Sequence, residues 1–348
     1  MKALTVVPLQ ASTARLDEID EPAPAEGSVL VDTLAVGVCG TDIEIVSGDY
    51  GWAPAGHQRL VLGHESLGRV REAPHDSPAQ PGDLVVGFVR RPDPVPCANC
   101  AAGEWDFCSN GEYIEHGIKS LDGFCRERYR LAPDAFVTVP AALGDLGVLV
   151  EPTSVVAKAW EQVERIGHRA TWEPRRAVVT GAGPIGLLAA LLGVQRGLEV
   201  HVIDQVTAGL KPDLVQALGA NYHTGLVEDA VAAPDVVIEC TGVASLVFDA
   251  VGHVAPGGVV CLTGVSAAGR SIDIDAGLLN RSMVLANEVV VGSVNANRRH
   301  YQAAVEALSK ANPAWLAKLI TRRVPIEHFA EALERQADDV KVVIQIAN

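Results

Sequence analysis

A glycine loop in the second half of the chain restricts the possible folds more than any other feature. The loop, Gly-Ala-Gly-Pro-Ile-Gly at residues 181–186, follows a β-branched run at 176–180 and precedes an apolar segment at 187–196. The first glycine permits a tight turn, the second lets the backbone approach a pyrophosphate, and the third lets the next helix pack closely on the strand. The alternative is a glycine-rich turn that binds nothing, and the strand and helix on either side disfavour it.

Strands and helices continue to alternate after this loop. β-branched runs recur at 201–204, 235–240, 259–263 and 289–292, and the segments between them have helical patterns. Continuous β-branched runs separated by helices are typical of a parallel sheet that is covered on both faces. We therefore predict a doubly wound parallel sheet, with an α/β fold, over residues 174–292.

The rest of the chain has the pattern of an irregular β domain. Residues 1–150 contain many short β-prone runs broken by glycine and proline. A chain of 348 residues exceeds the size at which a single core keeps growing. We predict two domains: residues 1–173 together with 293–348 form a catalytic domain, and residues 174–292 form a dinucleotide-binding domain.

The charge balance excludes several classes of partner. The chain has 28 Lys and Arg residues against 43 Asp and Glu residues, a net charge of −15. Nucleic acids and anionic membranes require a basic face, so we expect neither as a partner. No stretch approaches the roughly 18 apolar residues that a membrane span needs. The first residues are typical of a strand rather than a signal peptide, and we expect a cytoplasmic protein.

An aspartate at the end of the second strand of the α/β domain bears on the choice of cofactor. Asp204 lies 18 residues beyond Gly186, where a carboxylate can accept hydrogen bonds from ribose hydroxyls and would repel a 2′-phosphate. No arginine occurs at 205–207, and Lys211 is the nearest cation. These residues favour NAD over NADP. The alternative is that Asp204 only caps the next turn, which leaves the preference open.

Four residues supply the ligand types of a catalytic zinc ion. Cys39 offers a thiolate and His64 an imidazole, and Glu65, Glu151 or both can complete a site that leaves one position open for substrate. Thr41 lies two residues after the thiolate, where it can pass on the proton of an alcohol whose pKa the metal lowers. Each residue alone is more often a core or surface residue. Combined with the dinucleotide loop, the set predicts a dehydrogenase.

With these motifs, the chain resembles the zinc-dependent medium-chain dehydrogenase/reductase superfamily over its whole length. The resemblance implies a GroES-like irregular β-barrel catalytic domain and a Rossmann domain. Within the superfamily the chain is similar to the glucose dehydrogenase branch of archaea and some bacteria. The segments that carry this second resemblance are 89–92, 106–108, 111–118, 122–124 and 292–295.

The resemblance implies roles for several residues. Cys39, His64, Glu65 and Glu151 would surround the catalytic zinc, with the two glutamates exchanging as ligands. Alcohol dehydrogenases tend to have a second cysteine where this chain has Glu151. The implied sugar-contacting residues are Thr41, Glu115, Glu151 and Asn295, and the predicted cofactor-binding set is Gly181, Gly183, Pro184, Ile185, Gly186, Asp204, Thr241, Gly242, Gly264, Val265 and Asn295.

Two positions depart from the pattern of this branch. Val89 and Leu285 stand where another member has an asparagine and a histidine that touch the sugar. Sites that bond hydroxyl groups reject analogues that lack them, so fewer polar contacts would loosen or shift the preference for one sugar.

A second cysteine cluster is similar to the structural-zinc lobe of the superfamily. Cys97, Cys100 and Cys108 match the last three positions of its C-x₂-C-x₂-C-x₇-C pattern. The first ligand would fall at Pro94, which cannot bind a metal, and the adjacent Asp93 can substitute for it. The alternative is a lobe that has lost its metal and retains three thiols. We interpret the other cysteines, Cys125, Cys240 and Cys261, as core residues.

These observations predict an aldose 1-dehydrogenase that contains zinc and uses NAD, or NADP with lower preference. Its substrate would be a small sugar, most simply D-glucose, and its product the aldonolactone. A polyol dehydrogenase of the sorbitol type, or a dehydrogenase of a modified sugar, is the alternative enzyme. A non-catalytic dinucleotide sensor would not need the metal ligands, and zinc-free quinone reductases lack them. The superfamily resemblance further implies a homodimer or homotetramer.

Overall fold

The computed structural model describes residues 1–266 and 271–346. Its strands are β1 (Lys2–Val6), β2 (Arg15–Glu18), β3 (Val29–Gly37), β4 (Leu60–Val61), β5 (Glu65–Glu72), β6 (Leu84–Gly87), β7 (Arg90–Arg91), β8 (Ile114–His116), β9 (Ser120–Leu121), β10 (Arg128–Leu131), β11 (Phe136–Val139), β12 (Arg176–Thr180), β13 (Glu199–Ile203), β14 (Asn221–His223), β15 (Val236–Glu239), β16 (Val259–Leu262), β17 (Val289–Gly292), β18 (Ile320–Pro325) and β19 (Lys341–Gln345). Its α-helices are α1 (Gly40–Ser47), α2 (Ala98–Ala101), α3 (Val150–Gly167), α4 (Pro184–Gln195), α5 (Leu210–Ala217), α6 (Val227–Ala230), α7 (Ala244–His253), α8 (Ala276–Ala286), α9 (Arg298–Lys310), α10 (Pro313–Leu319) and α11 (Phe329–Leu333).

These elements fall into two compact units. The first comprises Met1–Ser154 and Asn295–Asn348, and the second comprises Val155–Val294. The predicted boundary after residue 173 assigned all of α3 to the first domain, whereas most of this helix belongs to the second unit. The physical reason is packing, because the Trp160 indole is buried and donates a hydrogen bond to the Ala189 carbonyl of α4 at 3.1 Å.

Six of the described strands form the parallel sheet of the second unit. Their order is β14-β13-β12-β15-β16-β17, and every pair is parallel. The central strands are inaccessible to solvent, with Val178, Val237 and Val260 all at 0% exposure, as their continuous β-branched runs require. The order reverses between β12 and β15, at the switch point where open α/β sheets bind ligands. The predicted doubly wound parallel sheet is confirmed.

Seven of the described strands form the main sheet of the first unit. Six follow the path β11-β6-β5-β3-β19-β18, and β10 pairs with β3. Strand β19, near the end of the chain, pairs antiparallel with β3 through Val343 and Gly37. The C-terminal segment therefore completes a sheet begun by N-terminal residues. Buried residues such as Val36, Phe124 and Tyr129 fill the core, and the predicted irregular β architecture is confirmed.

A small sheet of the first unit, β7-β8-β9, carries a residue of the predicted sugar site. Arg90 is paired with Glu115, and Arg91 with Ile114. Because directly paired residues share a face and neighbours along a strand alternate, Arg90 and Glu115 lie on one face. Arg91, Ile114 and His116 lie on the other.

Two local features differ slightly from the sequence pattern. The helix after the glycine loop begins at Pro184, earlier than the apolar run at 187, because proline is well suited to the first position of a helix. Strand β13 ends at Ile203, which places Asp204 immediately beyond it. Within the described residues, none of the helices has the length and apolar content needed to span a membrane.

Candidate active site

Three of the predicted metal ligands come together in the first unit. The Sγ atom of Cys39, a ring nitrogen of His64 and a carboxylate oxygen of Glu65 all lie within 4.8 Å of one another. Cys39 caps α1, directly after β3, and Glu65 begins β5. The pairing of Gly37 with Glu65 brings the two strand ends together. A Cβ atom at Gly37 would lie 2.0 Å from Glu65 Oε2, so only glycine leaves room for this carboxylate.

Asp42 supports two of these ligands. Its Oδ2 accepts a hydrogen bond from the Cys39 N–H at 2.8 Å, and its Oδ1 lies 3.4 Å from His64 Nδ1. Burial lowers the pKa of His64, but Asp42 and Cys39 more than offset this effect and hold that pKa well above its ordinary value. A carboxylate behind a histidine is the usual device for orienting a metal-binding imidazole.

A buried lysine that the sequence analysis missed holds the Glu65 carboxylate. Lys341 Nζ lies 2.7 Å from both Glu65 oxygens and donates to the Val38 carbonyl at 3.1 Å. Burial opposes the charge of Lys341, but Glu65 and Cys39 outweigh it and raise the lysine's pKa. The available signal was a lysine inside the apolar run at 340–344, where a charged residue requires a partner.

The fourth predicted ligand, Glu151, is the second residue of α3 and is buried. Burial, and after it the charge of Glu65, raises the pKa of Glu151 to about 8. A divalent cation beside these groups would favour the ionised carboxylate. The thiolate, the imidazole and the two carboxylates therefore fit zinc by their chemistry and by their need for positive charge. Glu151 is not part of the three-residue group described above, so its role as a ligand remains a prediction.

Two predicted sugar-contacting residues touch each other. Asn295 donates from Nδ2 to Glu115 Oε1 at 3.0 Å, although 180 positions separate them in the chain. Asn295 has a φ of +61°, a conformation that asparagine tolerates better than most residues. Thr41, the second residue of α1, is half-buried.

Arg90 also fixes Glu115, and sequence reasoning missed it. Its Nε donates to Glu115 Oε1 at 3.0 Å, and its guanidinium lies 3.7 Å from the centroid of the Tyr113 ring. Both side chains of the ion pair are more than nine-tenths buried. A buried ion pair supported by ring stacking restricts the carboxylate to one orientation.

The positions that depart from the glucose dehydrogenase branch lie in different environments. Val89 belongs to the buried core of the first unit, and its N–H donates to the Tyr301 hydroxyl at 3.2 Å. Leu285, on α8 of the second unit, is 68% exposed.

The glycine loop of the second unit has the geometry of a phosphate cradle. Gly181 has a φ of +88°, which favours glycine. A Cβ atom at Gly186 would lie 1.8 Å from the Gly181 carbonyl oxygen, whereas one at Gly183 would meet nothing within 4 Å. Gly186 therefore permits close packing, and Gly183 leaves its side of the backbone open. Pro184 and Ile185 begin α4, whose N-terminal N–H groups attract anions. These residues fit a dinucleotide.

Asp204 lies beside the glycine loop and also caps a turn. Its Oδ2 accepts from the Ala182 N–H at 2.7 Å, and its Oδ1 accepts from the Val206 N–H at 3.1 Å. Lys211 Nζ is 3.5 Å from Oδ2. The position of this carboxylate is therefore compatible with both interpretations of the sequence: hydrogen bonding to ribose hydroxyls and capping of the next turn.

Glu239, which sequence reasoning also missed, organises the loops after β15 and β16. This fully buried carboxylate accepts hydrogen bonds from the Thr241 and Gly242 N–H groups at 2.7 and 3.1 Å. Its carbonyl accepts from the Gly264 N–H at 3.0 Å. A Cβ atom at Gly264 would lie 2.2 Å from the Gly242 nitrogen, so the two predicted cofactor-binding loops touch. Val265 is 82% exposed.

The second cysteine cluster is assembled around α2. The Sγ atoms of Cys97, Cys100 and Cys108 all lie within 4.8 Å of one another. Hydrogen bonds from Ser109 and Cys100 lower the pKa of Cys97 to about 6, whereas burial raises that of Cys100 to about 11. Asp93 is outside this three-thiol group. Its Oδ1 accepts from the Val95 N–H at 2.9 Å, and its buried Oδ2 has no hydrogen-bond partner within the described residues.

Among the described residues, neither the other cysteines nor Arg298, the first residue of α9, takes part in these clusters. Cys125 and Cys261 are buried, and burial raises the pKa of Cys240 to about 12. Arg298 donates to the Asp134 carbonyl.

Comparison with known proteins agrees with this geometry. The pattern of the family described as "Glucose dehydrogenase C-terminus" matches residues 144–346, and that of the "Alcohol dehydrogenase GroES-like domain" matches residues 25–141. The chain is 39% identical to a glucose 1-dehydrogenase of Methanocella arvoryzae and 42% identical to glucose 1-dehydrogenase 2 of Vulcanisaeta moutnovskia. Each alignment covers 99% of both proteins.

A solved structure is similar over the whole chain. Haloferax mediterranei glucose dehydrogenase, in complex with NADP, Zn and gluconolactone, is 32% identical with a TM-score of 0.92, and 100% of each chain is covered. Taken with the full-length sequence relatives, this similarity shows that the chain belongs to the glucose dehydrogenase branch of the zinc-dependent medium-chain dehydrogenase/reductase superfamily.

Proposed function

We propose that this protein oxidises D-glucose at C1 to the aldonolactone and transfers the hydride to a nicotinamide cofactor. The observation that carries the proposal is the group of Cys39, His64 and Glu65, in the same unit as the hydrogen-bonded pair of Glu115 and Asn295. The first set suits a zinc ion, and the second offers fixed polar groups to a substrate with many hydroxyls. The names of the relatives, and the NADP, Zn and gluconolactone of the Haloferax mediterranei structure, support the same reaction.

The protein's residues would share the work of the reaction. When bound by Cys39, His64, Glu65 and Glu151, zinc supplies Lewis acidity at the C1 hydroxyl, and the nicotinamide supplies the hydride acceptor. Glu115, held by Arg90 and Asn295, accepts hydrogen bonds from sugar hydroxyls. Thr41 would accept the proton of the C1 hydroxyl and release its own hydroxyl proton to solvent, so that the threonine stays neutral.

Initial-rate measurements test this function. We expect D-glucose to reduce NAD or NADP, and a zinc chelator to abolish the rate until zinc is restored. Reduction by sorbitol but not by D-glucose would instead support a polyol dehydrogenase. Absence of reduction with aldoses and polyols alike, in a protein that retains zinc, would refute a sugar dehydrogenase.

We propose that NAD is the preferred cofactor, because the Asp204 carboxylate lies directly after β13, where it would repel the 2′-phosphate of NADP. Exchange of Asp204 for asparagine keeps one of the two side-chain acceptors that the Ala182 and Val206 N–H groups use, and it removes the charge that repels a 2′-phosphate. The ratio of kcat/KM for NAD to that for NADP should fall by about 10- to 100-fold. Asp213→Ala, an exposed change on α5, is the matched control. An unchanged ratio in Asp204→Asn would assign this residue to the turn alone.

Arg90 is expected to act on sugar binding through Glu115. Arg90→Met leaves the buried carboxylate without its charged partner, so KM for glucose should rise by about tenfold or more. Because Arg90 does not belong to the predicted dinucleotide site, KM for NAD should not change. Arg90→Lys should recover part of the loss, and Arg71→Met, at an exposed ion pair, serves as the control. Equal changes in both KM values would indicate a general structural defect instead.

We further propose a structural zinc ion held by Cys97, Cys100, Cys108 and Asp93. The three adjacent thiols and the unpartnered Asp93 Oδ2 support this set. Metal analysis should find about two zinc ions per chain, and Cys100→Ser or Asp93→Ala should reduce this to about one. A wild-type protein with about one zinc ion would identify the lobe as metal-free. Loss of the second zinc ion in Cys100→Ser but not in Asp93→Ala would exclude Asp93 as the fourth ligand.

We propose a homodimer or homotetramer that forms along β17. This strand ends the sheet of the second unit, with one partner among the described strands. Leu278, Val284 and Leu285 of α8 are at least 65% exposed. An open sheet edge beside exposed apolar residues is typical of an interface. Sedimentation velocity tests the proposal, and a monomer at micromolar concentration would contradict it.

A further inference from the structure

A cavity of about 200 Å³ lies on the other side of the strand that carries Glu115. Arg91, His116 and Ile114 line it from the small sheet β7-β8-β9, and Arg130 and Glu26 line it from neighbouring segments. The alternation along β8 directs Glu115 to one face and Ile114 and His116 to the other. The cavity is therefore separate from the sugar-contacting pair of Glu115 and Asn295.

The charged groups around this cavity leave an excess of positive charge. Arg130 donates to the Pro22 and Gly27 carbonyls at 3.1 and 3.4 Å, and no carboxylate of the described residues lies within ion-pair distance of it. Neutral carbonyl partners orient the guanidinium without cancelling its charge. A cavity wall with such a group attracts an anion.

The positive charge of the second arginine, Arg91, is only weakly neutralised by its one carboxylate neighbour among the described residues. Arg91 Nη2 lies 3.6 Å from Asp134 Oδ1, and the Asp134 side chain is 74% exposed. Burial lowers the pKa of Arg91, so its surroundings do not replace the water that the guanidinium has lost. A ligand anion would supply that stabilisation.

The acidic residue of the cavity has a partner of its own. Glu26 Oε2 accepts from Arg126 Nη2 at 3.3 Å, and Glu26 Oε1 accepts from the Ala23 N–H at 2.8 Å. Arg126 is buried, and its Nε has no acceptor within the described residues. Among the residues that line the cavity, the two guanidinium groups of Arg91 and Arg130 therefore face one carboxylate, that of Glu26. The net charge suits a monoanion.

The other residues that line the cavity indicate the chemistry of the part of the ligand that carries no charge. Five of the lining residues are apolar: Ile114, Leu121, Leu131, Ala132 and Ala135. His116 Nδ1 donates to the Asp122 carbonyl at 2.8 Å, which leaves Nε2 as an acceptor for a hydroxyl group. The volume exceeds that of a single-water cavity and leaves room for a small organic anion.

We propose that this cavity is a second binding site, which takes a small monocarboxylate. The carboxylate group would bind the guanidinium groups of Arg91 and Arg130, and its short hydrocarbon part would pack on Leu121 and Leu131. Inorganic phosphate fits less well, because a dianion exceeds the net charge and gains nothing from the apolar walls.

Isothermal titration calorimetry on the zinc-containing full-length protein tests the site. The probes are sodium benzoate, sodium butyrate and inorganic phosphate, each compared with sodium chloride at equal ionic strength. We expect saturable binding of about one benzoate or butyrate per chain that does not weaken with saturating D-glucose. Loss of carboxylate binding when glucose is present would place the carboxylate in the sugar site and overturn the proposal. Phosphate binding as tight as benzoate binding would overturn the ligand class.

Two variants separate charge from volume. Arg91→Gln removes one guanidinium and should weaken benzoate binding by about tenfold or more. Ala132→Phe fills the cavity, retains every charge and should abolish binding, which also tests the site if Arg91→Gln fails to fold. Arg71→Gln, outside the cavity, is the control and should bind benzoate as the wild type does. Absence of saturable carboxylate binding in the wild type, or wild-type affinity in Ala132→Phe, would refute the site.

Discussion

Replacing Cys39 by serine is expected to remove zinc from the catalytic group and to lower kcat/KM for D-glucose by about 1000-fold. The thiolate is one of three ligand atoms that lie within 4.8 Å of one another, and serine is a poor zinc ligand at neutral pH. Lewis-acid stabilisation is worth several kcal/mol, and about 4 kcal/mol corresponds to a factor of roughly 1000. Zinc content by atomic emission and initial rates at saturating cofactor measure the effect.

A matched control distinguishes this loss from the loss of any cysteine. Cys261 is buried in β16 of the second unit. Among the described residues it belongs neither to the catalytic group of Cys39 nor to the cluster around Cys100. Cys261→Ala should cost some stability through a small cavity but should retain zinc and the glucose rate. A Cys39→Ser protein with its full zinc content and rate would show that the catalytic metal is held elsewhere.

Replacing Lys341 by methionine is expected to destabilise the zinc-depleted protein by about 3–5 kcal/mol. Lys341 Nζ lies 2.7 Å from both oxygens of Glu65, and both side chains are 2% exposed. Methionine fills a similar volume but leaves the carboxylate buried without its cation. Urea unfolding followed by circular dichroism measures the change. The same variant should bind zinc about 10- to 100-fold more weakly, because Lys341 orients a predicted ligand.

A double variant tests the cause of that destabilisation. Lys341→Met combined with Glu65→Leu removes both charges, so stability should recover most of the loss, although the catalytic metal would not bind. Lys318→Met, an exposed change on α10, should have little effect on either property. If Lys341→Met unfolded at the same urea concentration as Lys318→Met, the buried ion pair would not be a determinant of stability.

The predictions that succeeded rest on contiguous residues. The glycine loop at 181–186 requires a positive φ at its first position and space beside its second, and both are properties of glycine itself. The strands on either side are recognisable because a buried parallel strand is apolar along its whole length. The same pattern placed Asp204 at the end of the second strand of this sheet, within one residue of its position directly after β13.

The residues that were missed act through contacts distant in sequence. Lys341 meets Glu65 across 276 positions, because β19 pairs with β3 beside β5. Arg90 meets Glu115 because β7 and β8 happen to pair in that register. A charged side chain within an apolar run indicates that some partner exists, but not which one.

The sequence by itself therefore determined the turn and close packing of the glycine loop and the parallel sheet, since each follows from local residue chemistry and periodicity, and it supplied the residue types of the predicted metal site. Tertiary structure alone decided which carboxylates are held by cations, where the boundary between the units falls, and which arginine of the pair at 90 and 91 faces Glu115. The physical reason is strand pairing. Register selects the face and the neighbours of each side chain, and it depends on contacts between segments that no local pattern contains.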